Sequence, residues 1–301
     1  MPALSAYAGV ARAPFLLLPV TLVAVGAAAA AYDGHANALS SGLALVGLVA
    51  LHAAVNAFNE ASDMKRGIDL VTKRTPFSGG SGTLPSGALS AGSATAIGVV
   101  GSLVGLAIGI YFGLRIGWWP LGLIMGLGAL SVLIYTDVLA RSGIGEISAG
   151  LGLGLLPVVG TALVQRGEIG QAAWAAGVPA FCMTFNLLLL NEFPDEEADR
   201  QGGRRNLVLM FGRRTAAIIY AIVAIASTLS IVIAVLLKAL PLLGVVAILP
   251  FRFSVPAVQW AFTKPFEDVP IPALAGNVFW NLGTNVVLAL ALLTAAYTGA
   301  G

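Results

Sequence analysis

The chain has 301 residues, 58% of them hydrophobic and only 10% charged, with a mean hydropathy of +0.91. A soluble domain usually carries about 25% charged residues, so this composition excludes an ordinary soluble domain and points to a polytopic, all-α membrane protein. Cys182 is the only cysteine, which excludes an intrachain disulfide, and the net charge of +2 matters less than where the charges fall.

A spanning helix needs about 20 apolar residues. That rule predicts nine spans, at 14–32, 40–58, 88–113, 117–139, 145–165, 172–191, 213–237, 240–260 and 275–298. The first follows Arg12 and runs past signal-peptide length, so no cleavable leader is expected. The third carries Gly101, Gly105, Gly109 and Gly113 every four residues, the pattern of a close helix-packing face. Gly150, Gly152 and Gly154 in the fifth are not a dinucleotide loop, because a membrane span offers no strand–turn–helix context. The eighth contains Pro241, Pro250 and Pro256, tolerable where neighbouring groups satisfy the freed carbonyls. No separate soluble domain stands out, and one integral membrane domain over 1–301 is expected.

Lys and Arg set the orientation. Arg12 precedes span one. Lys65, Arg66, Lys73 and Arg74 follow span two, and Arg141 follows span four. Arg200, Arg204, Arg205, Arg213 and Arg214 follow span six, and Lys264 follows span eight. With nine spans all of these fall on one side, while the other keeps Arg115, Arg166 and Lys238. The basic side is predicted to be cytoplasmic, with the N-terminus on it, in a multi-pass protein of the cytoplasmic membrane.

Eight of the 14 acidic residues form two clusters, each ending an apolar run. The first holds Glu60, Asp63 and Asp69, and the second holds Glu192, Asp195, Glu196, Glu197 and Asp199. Ionised carboxylates at a bilayer boundary are costly unless paired, so such clusters read as a functional site. Asn59 and Asp63 are four apart and share a helix face with Asn56. Asp69 follows Gly67, beyond the expected helix end, and can fold back toward the same point. Asn191, Asp195 and Asp199 form one polar stripe if the helix continues through Pro194.

Two such stripes facing each other offer oxygen ligands, which suit Mg²⁺ bound together with ligand phosphates. The only histidines are His35 and His52, so zinc is not expected. His52 reads as a buried packing residue. Lys65, Arg66, Lys73, Arg74, Arg200, Arg204 and Arg205 are interleaved with the acids. Acids for a metal and cations for phosphate oxygens are what a diphosphate leaving group requires. The loop Gly79-Gly80-Ser81-Gly82 lacks the Gly-Lys-Ser/Thr of a P-loop and is either a flap over the diphosphate or a plain loop. A cation transporter would place its acids near the midplane at broken helices. Here they sit at helix ends among basic residues that would repel a cation.

These motifs resemble the UbiA superfamily of intramembrane prenyltransferases, which carries two aspartate-rich motifs after its second and sixth helices in a nine-helix bundle. Asn59-x-x-x-Asp63-x-x-x-x-x-Asp69 resembles the first motif. The usual residue after the Asn is Asp, and Glu60 is a conservative departure. Asp195-x-x-x-Asp199, with Asn191 before it, resembles the second. Within the superfamily the chain is most similar to 1,4-dihydroxy-2-naphthoate prenyltransferases of menaquinone synthesis. That likeness rests on the Asp63-to-Asp69 gap with Gly67, Tyr135-Thr136, Gly143-Ile144-Gly145-Glu146 and Val159-Gly160-Thr161.

The resemblance implies a nine-transmembrane-helix bundle. It implies Mg²⁺ held by Asn59, Asp63, Asp69, Asn191, Asp195 and Asp199, with a polyprenyl diphosphate as donor and an aromatic acceptor, naphthoate in particular. Other acceptors of the superfamily remain open: 4-hydroxybenzoate, homogentisate, a glycerol phosphate lipid or chlorophyllide. Tyr135 either supports the allylic cation, contacts the acceptor or belongs to an interfacial aromatic belt. Glu146 either binds the acceptor or caps a helix. The partners expected are these two substrates and the lipid bilayer, with no nucleic acid.

Overall fold

In the computed structural model, residues 4–72, 74–135, 137–263 and 271–299 are described. They are helical and contain no strand. Eight helices are long and apolar enough to cross a membrane: α1 (Ala13–Tyr32), α2 (Ala38–Lys65), α3 (Ala91–Ile116), α5 (Gly145–Arg166), α6 (Gln171–Glu192), α7 (Arg213–Leu236), α8 (Leu242–Ala261) and α9 (Ile271–Thr298). Between α3 and α5 lies a shorter apolar helix, α4 (Leu121–Leu133). The nine predicted spans each correspond to one of these.

The helix starts follow capping chemistry. Asn37 accepts the Ser40 N–H at 2.9 Å ahead of α2, and Ser90 accepts the Ser93 N–H at 3.1 Å ahead of α3. Each satisfies one of the orphan donors of a first turn. α2 ends at Lys65, and Gly67 takes a left-handed φ of 77°. That conformation suits glycine and reverses the chain toward Asp69.

Two expectations about helix length are corrected. The fourth span was expected over 117–139, but its helix covers only Leu121–Leu133. Pro120 marks its start, and beyond Ile134 the chain turns to bring Asp137 to Arg66 and Ser62. The polar stripe through Pro194 is interrupted: α6 stops at Glu192, a turn covers 193–195, and a short helix, Glu196–Gln201, follows. Proline has no N–H to donate to the preceding turn.

α1 packs against α2, α5, α6 and α9, and α2 runs along α3. The glycine ladder is a packing face. A Cβ on Gly101 would lie 2.5 Å from the Ala50 carbonyl and one on Gly105 would meet Leu51, while Gly109 and Gly113 face Met125 and Trp118. In α5 the segment Leu151–Leu155 winds as a π turn. Pro157 cannot donate to the Leu153 carbonyl four residues back, and the Thr184 hydroxyl on α6 donates to it instead, at 3.4 Å. In α8, Leu242–Ser254 winds as 3-10 turns before the α-helical Val255–Ala261.

A buried amide ladder, hidden from any hydropathy average, joins α9 to its neighbours. Asn277, Asn281 and Asn285 recur every four residues and are buried. Tyr220 donates to Asn277 at 2.8 Å, Asn277 donates to the Asn186 carbonyl at 3.1 Å, and Asn285 donates to Asn281 at 2.9 Å. Interhelical hydrogen bonds of this kind fix register where hydrocarbon gives little preference.

Candidate active site

The two acidic motifs meet at one end of the bundle, and Arg204 joins them. Its Nη2 lies 2.6 Å from both carboxylate oxygens of Asp63, on the last turn of α2. Its Nη1 lies 3.2 Å from Asp199, on the short helix after α6. Asn206 donates to the other Asp199 oxygen at 2.9 Å. Asp199 is almost fully buried, so this bridge is a charge-assisted pair at the edge of hydrocarbon. Asp63 and Arg204 are 141 residues apart in sequence, and the bridge brings the predicted motifs face to face.

Asp69 and Asp195 complete the acidic set without such pairing. Asp69 Oδ2 and Asp195 Oδ1 are buried and have no hydrogen-bond partner. Burial raises the Asp69 carboxyl to about 7, helped by the Asp63 and Glu60 charges and opposed by Arg12 and Arg74. Burial likewise raises Asp195 to about 7, with Asp199 adding to it. Asp199 rises to about 6 through burial, against the pull of Arg204. Arg204 itself, partly exposed, loses some hydration at the site but is held firmly protonated by Asp63 and Asp199.

Asn59 and Asn191 line a cavity of about 130 Å³, together with Arg12, Asn56, Tyr135 and Ser148 on its polar side and Phe15, Leu18 and Leu187 on its apolar side. Tyr135 is part of this cavity wall. Burial pushes its phenol up, with nearby Glu192 adding to the effect, so it stays protonated at neutral pH. His52, Ser131 and Leu153 line this cavity and also a much larger apolar groove of about 410 Å³. Leu48, Leu51, Ile108, Ile124, Met125 and Leu156 line the groove, between α2, α3, α4 and α5. The two spaces share a wall at His52.

The remaining predicted residues separate into groups. Arg74 donates to the Asp69 backbone carbonyl at 2.7 Å and lies beside Gly82, next to the site. Arg66 pairs with Asp137 at 2.7 Å, and Arg200 with Glu196 at 2.9 Å, both on the surface. Hydrogen bonds from Arg66 and Ser62 hold the Asp137 carboxyl below its usual range. Lys65 is exposed at the end of α2. Arg205 is exposed, and its backbone N–H donates to Ala140. Lys73, Thr136 and Lys264 lie outside the described residues.

Glu146 is buried and caps a helix, but not its own: it accepts the Leu207 N–H at 2.7 Å, at the start of Leu207–Phe211. The buried Glu192 lies near it and keeps its Oε2 without a hydrogen-bond partner. Sequence reasoning assigned Arg12 only to topology. It sits at φ 51° in the cavity wall, and its charge acts on both Asp69 and Asp195. The one available signal was a lone Arg ahead of the first apolar run. Asn206 carried no signal at all, since its role depends on the folded loop.

The description "UbiA prenyltransferase family" is that of the family model that matches residues 17–283. The chain belongs to the UbiA prenyltransferase family. It is 25% identical over 171 residues to the 1,4-dihydroxy-2-naphthoate octaprenyltransferase of Bacillus subtilis (strain 168). That match covers 56% of this chain and 53% of the relative, about half the length of each. Among solved structures it is similar to an apo UbiA homologue from Aeropyrum pernix K1, with a TM-score of 0.69 and 17% identity over 92% of this chain and 98% of that one. It is also similar to a UbiA homologue from Archaeoglobus fulgidus bound to GPP and Mg²⁺, with a TM-score of 0.67 and 15% identity over 96% and 99%. At these identities the structural likeness establishes the UbiA fold.

Among the described residues, no three His, Cys, Asp or Glu side chains stand close enough to hold one metal ion, and Arg204 lies between Asp63 and Asp199. The donor set nevertheless fits a hard divalent cation. Its atoms are carboxylate and amide oxygens, and two carboxylate oxygens, on Asp69 and Asp195, are buried without a partner.

Proposed function

We propose that this UbiA-family chain, acting as one integral membrane domain, transfers a polyprenyl group from an allylic diphosphate to an aromatic acceptor. Its active site and N-terminus would lie on the cytoplasmic side. The observations that carry the reading are the meeting of Asp63 and Asp199 on Arg204, and a cavity, lined by Asn59 and Asn191 of the same two motifs, that shares its wall with an apolar groove. A diphosphate head and a hydrocarbon tail need these two environments side by side.

Mg²⁺ would be held by Asp63, Asp69, Asp195 and Asp199 with Asn59 and Asn191, and would neutralise charge on the diphosphate oxygens as the carbon–oxygen bond breaks. Arg204, released from the two carboxylates, turns its guanidinium to the same oxygens. Arg12 and Arg74 add positive charge at the rim. The bond breaks with its electron pair leaving on the diphosphate, and an allylic cation remains in the cavity. The apolar groove holds the tail and keeps water from capturing the cation. A ring carbon of the acceptor donates its electron pair to form the new carbon–carbon bond. Aromaticity is restored by loss of the ring proton or, where 1,4-dihydroxy-2-naphthoate yields a naphthoquinol, by loss of its carboxylate as CO2 with the electron pair returning to the ring. Tyr135, neutral in the cavity wall, presents a ring to the cation.

The Bacillus subtilis relative favours 1,4-dihydroxy-2-naphthoate as acceptor, and hence a place in menaquinone synthesis. The test is mass spectrometry of products from purified protein, geranylgeranyl diphosphate and Mg²⁺ with a panel of 1,4-dihydroxy-2-naphthoate, 4-hydroxybenzoate, homogentisate and geranylgeranylglyceryl phosphate. A prenylated naphthoquinol as main product is expected. A main product from another acceptor overturns the acceptor assignment and leaves the transfer chemistry standing.

A further inference from the structure

Glu60 departs from the aspartate usual at its position by one methylene group, and the structure gives that methylene a use. Glu60 follows Asn59 on α2 and is 3% exposed. Oε1 accepts the Ser81 N–H at 2.6 Å and Oε2 accepts the Ser81 hydroxyl at 2.7 Å, so both oxygens are committed to one residue of the glycine-rich loop. Ser81 passes the constraint to Thr83, whose N–H donates back to the Ser81 hydroxyl at 3.1 Å.

The loop held in this way lies against the first acidic motif. Gly79, Gly80 and Gly82 have φ values of 81°, 74° and 76°, the left-handed region that glycine alone enters freely. A Cβ on Gly80 would stand 2.6 Å from Asp69 Oδ1, so the backbone passes directly over that carboxylate. Asp69 is 3% exposed and its Oδ2 has no partner. Among the described residues, the N–H groups of Gly79, Gly80 and Gly82 donate to no acceptor. Arg74 lies beside Gly82. Gly79 and Gly80 thus present two consecutive free N–H groups, with Gly82 beyond the committed Ser81, and free backbone N–H groups in such a turn form an anion-binding arrangement.

We propose that Glu60 is a positioning residue and not a metal ligand: it clamps Ser81 so that the 79–82 backbone and Arg74 form the part of the diphosphate site next to Asp69. This rests on the prenyl-transfer reading above. A clamp and a ligand differ in what they demand of residue 60. A metal ligand needs the negative charge, which Glu60→Asp keeps and Glu60→Gln removes. A clamp needs the reach, which Glu60→Gln keeps and Glu60→Asp shortens by about 1.5 Å, one carbon–carbon bond.

The experiment compares wild type, Glu60→Asp, Glu60→Gln and Ser81→Ala in detergent. Hydrogen exchange over 78–83 is followed with and without geranylgeranyl thiolodiphosphate plus Mg²⁺, and steady-state kinetics use geranylgeranyl diphosphate. In the wild type the ligand should slow exchange across the loop. Glu60→Asp should lose that protection and raise KM for the diphosphate about tenfold, with kcat within about threefold. Ser81→Ala should behave like Glu60→Asp, and Glu60→Gln should be the mildest of the three. The proposal is overturned if Glu60→Gln is worse than Glu60→Asp, or if both Glu60→Asp and Ser81→Ala keep wild-type loop protection and KM. It is also overturned if the wild-type loop gains no protection while product still forms. Absence of product from the wild type with any acceptor is the separate failure, that of the prenyl-transfer reading itself.

Discussion

Replacing Arg204 with Gln separates its two roles. The guanidinium bridges Asp63 and Asp199, whose side chains are 15% and 2% exposed, and is itself 21% exposed. Breaking a fully buried pair costs about 3–5 kcal/mol. Partial solvent access to Arg204 reduces that to roughly 2–3 kcal/mol, or about 4–6 °C in a chain of this size at ~2 °C per kcal/mol. The loss is expected at pH 8 in EDTA, where Asp199 is ionised and nothing replaces the guanidinium. Added Mg²⁺ should recover it, because the freed carboxylates now hold the cation without first giving up an arginine. Thermal unfolding in detergent, followed by tryptophan fluorescence, measures both. The expected result is a lower Tm for Arg204→Gln in EDTA and a larger Mg²⁺-induced rise than in the wild type. Equal Mg²⁺ shifts in the two proteins, or an unchanged Tm in EDTA, would refute the view that Arg204 stands in for a cation.

Other outcomes follow from the same geometry. Asp69, Asp195 and Asp199 have folded values of about 7, 7 and 6, above the ordinary carboxylate range. Their protonated forms therefore stabilise the metal-free protein below pH ~4, and that stability fades as pH rises through 6–7. Tm in EDTA should fall from pH 5 to pH 8, and apparent Mg²⁺ affinity measured by calorimetry should rise over the same interval, since binding requires those protons to leave. Asp63→Ala or Asp195→Ala should abolish turnover while the protein remains in the membrane fraction, and near wild-type activity in both would remove the metal–diphosphate assignment. Gly128 lines the apolar groove with open space where its Cβ would be, so Gly128→Phe should slow geranylgeranyl transfer by about tenfold relative to geranyl transfer. Tyr220→Phe removes a buried hydrogen bond to Asn277 and should cost about 1 kcal/mol of stability with activity retained.

Much of the fold was legible because the bilayer constrains it so strongly. Each of the nine apolar runs is a helix, and the boundaries of most agree within a few residues. The misreadings came where backbone chemistry overrode hydropathy, at Pro194 and at the two ends of the fourth span. At the site, i to i+4 spacing correctly put Asn59 and Asp63 on one face, and Gly67 correctly announced the reversal to Asp69. What spacing could not supply was partner choice. Arg66, Arg200 and Arg204 look alike in sequence, yet two make surface ion pairs and one joins the motifs. Glu60 reads as one more acid of the cluster until the loop that it holds is seen. Arg12 carries a topology signal and a site role at once, and only the second needs the tertiary structure.

The central claim is that two facing acidic motifs bind a metal–diphosphate and release it from an allylic carbon. Its most direct measurement is diphosphate release from geranylgeranyl diphosphate and 1,4-dihydroxy-2-naphthoate by the purified protein, with Mg²⁺ and with EDTA. Release that depends on Mg²⁺, is matched mole for mole by prenylated product and is lost in Asp63→Ala is the predicted result. Release that persists in EDTA, or none with any aromatic or lipid acceptor while the protein carries metal ions across liposome membranes, would contradict it.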